Sequence, residues 1–158
     1  MFLRSASLWV EFLLYTAVAI TILAFTLYYV RLSVQNQQSQ IDLKYTVNLL
    51  SSLNYQIEQI SSCYSCNYRF FQQLPNGLTI YVYPGRINAV YISTVNYTLS
   101  LPNYISLNVK RTGYNAFLYN FTLNTVPFNL QGASNYTFTD NICLLLNKTP
   151  SGYYISKC

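Results

Sequence analysis

The chain has 158 residues, enough for one compact domain beside a membrane-length helix. Only 8% of them are charged, there is no His, and the four carboxylates (Glu11, Asp42, Glu58 and Asp140) are too few and too separated for acid–base, nucleophilic or metal chemistry. The net charge of +5 is scattered over Arg69, Arg86, Lys110, Arg111, Lys148 and Lys157 with one adjacent pair, so neither an enzyme with a cofactor or metal nor a nucleic-acid binder is expected.

Residues 8–30 form the first predicted element. They are apolar apart from Glu11 and a few Thr, and contain neither Gly nor Pro. As a helix this run rises about 1.5 Å per residue, roughly 34 Å in all, which crosses a bilayer core. Arg4 precedes it and Arg31 follows it. A secretory signal cut after Ala17-Val18-Ala19 would leave a bare apolar run from Ile20 at the new terminus. A plain uncleaved anchor with its N-terminus in the cytoplasm fits the positive-inside rule only weakly, since Arg31 and Lys44 lie on the far side.

The stretch Arg4-Ser5-Ala6-Ser7-Leu8-Trp9-Val10-Glu11 resembles the processing site of class III signal peptides in type IV pilin-like proteins, most closely archaeal pilins and archaellins. In that family a peptidase cuts on the cytoplasmic side, before the apolar helix, and the helix stays in the mature protein. The resemblance implies a cut between Ala6 and Ser7, which makes Glu11 the fifth mature residue, a family signature. Ala6 stands where the commonest pattern has Gly. The resemblance also implies a role for Glu11 in assembly, as partner of a neighbouring subunit's N-terminal amine. A carboxylate costs a few kcal/mol at the centre of a membrane helix and less at its edge, where the plain alternative is that Glu11 reaches for interfacial water.

From 31 to 60 the helical pattern continues without Gly or Pro. Ile41, Tyr45, Leu49, Leu53, Ile57 and Ile60 recur at spacings of four and three, widened by Leu50 and interrupted by Asp42 and Thr46. This stripe is expected to carry a β-sheet. Cys63-Tyr-Ser-Cys66 ends the helix. A C-x-x-C pair is a disulfide, a redox motif or half of a zinc site. Zinc would need Cys143 and Cys158 as its other ligands, and redox catalysis a thioredoxin-like context that is missing.

Beyond Asn67 the period changes to two. Leu78, Ile80 and Val82 alternate with Thr79 and Tyr81; so do Val95, Tyr97, Leu99 and Leu101, then Ile105, Leu107 and Val109, then Phe117, Tyr119 and Phe121. Pro75-Asn76-Gly77, Pro84-Gly85, Pro102-Asn103, Thr112-Gly113 and Gln131-Gly132 punctuate them, which predicts an antiparallel meander or small sandwich. Two last strands, 141–146 and 153–158, flank Thr149-Pro-Ser-Gly152. In that hairpin Cys143 and Cys158 fall opposite one another. Non-hydrogen-bonded cross-strand pairs sit about 4.5 Å apart at Cα, close enough for a disulfide. The other connectivity would staple the helix end to the last strand.

All four cysteines lie beyond the apolar helix, as do four Asn-x-Thr sequons at Asn96, Asn120, Asn135 and Asn147, all four expected at the exposed surface as N-glycosylation sites. Their clustering on one side of a membrane segment places that side outside the cell. The sequence therefore predicts an α+β protein, a lollipop with a hydrophobic helical stem and an antiparallel β-rich head. Residues 1–6 are the class III signal peptide. Residues 7–60 are the helix, with 8–30 serving membrane and filament core and 31–60 packing on the head. Residues 61–158 are the extracellular head.

The resemblance covers residues 4 to about 60 and extends loosely to the strands. It implies a structural subunit of an archaeal type IV pilus-like adhesion filament. The partners it implies are further copies of the chain, a prepilin peptidase, the pilus assembly machinery and, before assembly, the membrane. The rivals are a minor pilin that initiates the fibre and a single-pass anchor presenting a β-domain to a surface partner.

Overall fold

The computed structural model describes residues 2–125 and 128–158, with side chains from Leu8 onward. Ala6 and Ser7, the expected cleavage site, lie outside the residues whose side chains are described. The first element is the 61-residue helix α1, Phe2–Ser62. Among the described residues nine strands follow: β1 (Cys66–Gln73), β2 (Leu78–Tyr83), β3 (Arg86–Ser93), β4 (Ile105–Arg111), β5 (Phe117–Asn124), β6 (Asn129–Leu130), β7 (Tyr136–Phe138), β8 (Asn141–Thr149) and β9 (Gly152–Lys157). One long apolar N-terminal helix followed by antiparallel-rich sheets is the α+β class that the sequence predicts.

The chain divides into two compact units, Met1–Gln38 and Ser39–Cys158. The division falls inside the helix, so its last six turns or so belong to the β unit and build its core.

Within the second unit the strands form two sheets. One has the order β4-β5-β3-β2-β7 and is antiparallel throughout; the other has the order β1-β8-β9-β6, with β6 parallel to β9. The β2–β3 hairpin turns on Pro84-Gly85, where Tyr83 faces Arg86 and Gly85 has φ +72°. Pro supplies the first turn angle, and Gly takes the left-handed one that a side chain would resist. Inward positions of both sheets, including Ile80, Ala89, Phe121, Leu144 and Ile155, join Leu43, Leu50, Leu53 and Ile57 of α1 in one core.

Three local readings are corrected. Ile41 does not lie on the buried helix face: it is 60% exposed, whereas Ser39, Asp42 and Thr46 are buried beside Leu43. Apolarity alone misplaces the stripe because these three polar groups find partners. The Thr46 hydroxyl donates to the carbonyl of Asp42 at 2.8 Å, and the Asp42 carboxylate accepts from the Tyr91 hydroxyl at 2.9 Å.

Residues 94–104 form no strand, although burial alternates from Val95 to Leu101 as a strand's would. Tyr119 of β5 stands in for a ladder: its hydroxyl accepts from the Tyr97 N–H at 2.5 Å and donates towards the Val95 carbonyl at 3.1 Å. β3 and β1, absent from the expected strands, fill two places in the sheets.

Helix α1 ends where its carbonyls find partners outside the helix. The Cys63 N–H closes a tighter last turn onto the Ile60 carbonyl at 3.2 Å. The Ser61 carbonyl accepts from Lys148 Nζ at 2.5 Å and from the Tyr153 hydroxyl at 3.1 Å. A cation reaching in from β8 complements the negative end of the helix dipole, which the last turn does not do for itself.

Candidate assembly surface and covalent sites

The first unit offers one feature, a helix apolar around its whole circumference. Every large apolar side chain between 8 and 34 is exposed, from 43% at Leu32 to 74% at Tyr15. Between residues 8 and 30 three threonines interrupt it, and each hydroxyl is satisfied within the helix: Thr16 donates to the Phe12 carbonyl at 3.0 Å, Thr21 to Ala17 at 2.8 Å and Thr26 to Ile22 at 2.9 Å. Donors used up in this way add no polar demand to the surface. By length and composition the helix is able to cross a membrane, and none of its apolar window is buried within the chain. Glu11 lies in this stretch, exposed, about one turn after Leu8.

The cysteines pair as Cys63–Cys66 and Cys143–Cys158, with Cα separations of 6.4 and 5.4 Å. The hairpin pair differs in one detail from its expected geometry. The Cys158 N–H donates to the Cys143 carbonyl at 3.2 Å, so this is a hydrogen-bonded pair, and the wider Cα spacing is the one such pairs adopt. Cys63–Cys66 ties the helix terminus to the start of β1. Zinc has no place at bonded sulfurs, and no cluster of His, Cys, Asp or Glu among the described residues is fit to hold a metal.

The expectation that all four sequons are exposed is corrected, because two of them fall in central strands flanked on both sides. Asn96 lies in the irregular 94–104 segment and Asn135 just before β7, and both are exposed. Asn120 sits in β5 between β3 and β4, and Asn147 in β8 between β1 and β9, and both are half-buried.

The Asp42–Tyr91 pair was not singled out in the sequence as a site. The signal was there: Ser39, Asp42 and Thr46 share one helix face at spacings of three and four. Burial above all, then the hydrogen bond from Tyr91 to Asp42 and the charge of that carboxylate, push the Tyr91 hydroxyl up to about 12, while the Ser39 hydroxyl acts in the opposite direction. This pair fixes α1 to β3. An apolar cavity of about 20 Å³ beside Ile57, Phe128 and Leu146 holds no more than a water.

No family model, curated protein or solved structure matches the chain.

Proposed function

We propose that the chain is a subunit of an extracellular type IV pilus-like filament of the archaeal kind, serving attachment to surfaces. The observation that carries the reading is the exposed, all-round apolar helix between 8 and 30, joined to a disulfide-bearing β unit. Such a helix is stable only in lipid or among other helices. In this reading it has both environments in turn. The newly made chain waits in the membrane; a prepilin peptidase removes residues 1–6; the assembly machinery draws the helix out into a bundle of identical helices. Glu11 then meets the freed amine of the adjoining copy, and the β units form the outer coat.

The resemblance of residues 4–11 to a class III processing site supports this order of events. A permanent single-pass anchor would use the same helix, and so would a minor subunit that starts the fibre. Processing separates the anchor from the others. Intact-mass measurement on native protein should give a chain beginning at Ser7, or within a residue or two, with 8–30 retained. A chain beginning at Met1, or at Ile20, would overturn the proposal.

A further inference from the structure

We infer that the β unit accepts N-linked oligosaccharide at Asn96 and Asn135 and not at Asn120 or Asn147, although all four sequons read alike. The inference rests on the exterior placement of residues 39–158 in the reading above.

The co-reactant is an oligosaccharide carried on a lipid phosphate or diphosphate. Transfer forms a bond from the Asn Nδ2 to the anomeric carbon of the first sugar. The bond from that carbon to the phosphate oxygen breaks, and the lipid phosphate leaves with its electron pair. One amide proton passes to a base of the membrane transferase. The sequon must therefore leave its surroundings and present both the amide and the hydroxyl two residues on.

The two strand sequons are held on both sides. Asn120 lies between Val90 of β3 and Asn108 of β4, and its Oδ1 is buried. Its Thr122 lies between Asn88 and Ser106, and the Ser106 hydroxyl points to the Thr122 carbonyl at 3.4 Å. Asn147 lies between Asn67 of β1 and Tyr154 of β9. The hydroxyl of its Thr149 is engaged in the β8–β9 turn, 2.7 Å from the Ser151 hydroxyl. Releasing Asn120 strips the central strand β5 from both neighbours, which approaches the cost of global unfolding, and releasing Asn147 opens the end of β8 from β1 and β9 together with the β8–β9 turn.

The two loop sequons are held differently. Asn96 and Thr98 are both exposed in a segment outside any ladder. The Asn96 Oδ1 lies 3.4 Å from the Tyr119 hydroxyl, which leaves the nitrogen as the end of the amide not engaged there. Asn135 follows four exposed residues, and its exposed Thr137 sits on β7, a three-residue edge strand with β2 as its one neighbour. Segments of this kind open at little cost.

The test is glycopeptide mapping of the native protein, with thiol labelling in the same digest. Glycan on Asn96, Asn135 or both, at occupancy about tenfold or more above Asn120 and Asn147, supports the inference, because central strands open far more rarely than loops. A second arm offers folded protein, and reduced denatured protein, to source-cell membranes carrying their own lipid-linked oligosaccharide. The folded protein should gain mass at the loop sequons alone, and the denatured chain at all four. Comparable occupancy at Asn120 or Asn147 in folded protein, or bare Asn96 and Asn135, overturns the assignment. Bare sequons beside four oxidised cysteines would leave the exterior reading standing; bare sequons beside free thiols would sink both.

Discussion

At the scale of single residues the informative ones are polar and buried. Asp42 and Tyr91 join α1 to β3 through one hydrogen bond of 2.9 Å. Tyr91→Phe removes the donor and leaves the carboxylate buried, so urea unfolding of the protein in detergent should show a loss of about 1.5–3 kcal/mol, the usual worth of a hydrogen bond to a charged group. The same pair gives a pH signature. In the unfolded chain a tyrosine ionises near 10. In the fold Tyr91 keeps its proton up to about 12. The folded state thus binds more protons between these values, and stability falls as pH rises through them. The Tyr91 contribution is full below pH 10 and lost above about 12. The stability gap between wild type and Tyr91→Phe should therefore narrow across this window; a gap that stays constant to pH 12 would refute the pairing.

At the scale of elements, the two disulfides close loops of very different length. Cys143–Cys158 spans 15 residues and Cys63–Cys66 spans 3. Loop-closure entropy predicts that replacing the hairpin pair by Ser costs about 3 kcal/mol, and the helix-end pair about half of that. Thermal unfolding of the two double variants checks the order. The hairpin was legible in the sequence because the turn Thr149-Pro-Ser-Gly152 fixes its register, and with it the facing positions of Cys143 and Cys158. Helix α1 was legible because no Gly or Pro interrupts it.

Other elements were not legible, for physical reasons. In β1, Tyr68, Phe70 and Phe71 fall on both faces, and Tyr68 and Phe71 are exposed, so no clean alternation marks the strand. Residues 94–104 alternate well, but alternation reports which side chains are covered and not whether a neighbouring strand exists. Here the neighbour is one tyrosine hydroxyl. The sequons show the same limit: the motif at Asn120 and at Asn96 is identical in form, and only strand pairing tells them apart.

At the scale of the whole molecule, the account turns on the surface between 8 and 30. Burying a Leu, Ile or Phe side chain is worth roughly 1.5–3 kcal/mol. A helix bearing such side chains on every side, with each of them exposed in the single chain, cannot persist alone in water. In the proposed filament it would pack against other copies of itself. The most direct measurement is electron microscopy of filaments shed from cells, with mass spectrometry of the same material and a strain lacking the chain for comparison. The account expects filaments built of this protein, with residues 8–30 packed at the centre, and their loss from that strain. Unchanged filaments in its absence, with the native protein recovered as a monomer from the membrane fraction, would contradict it.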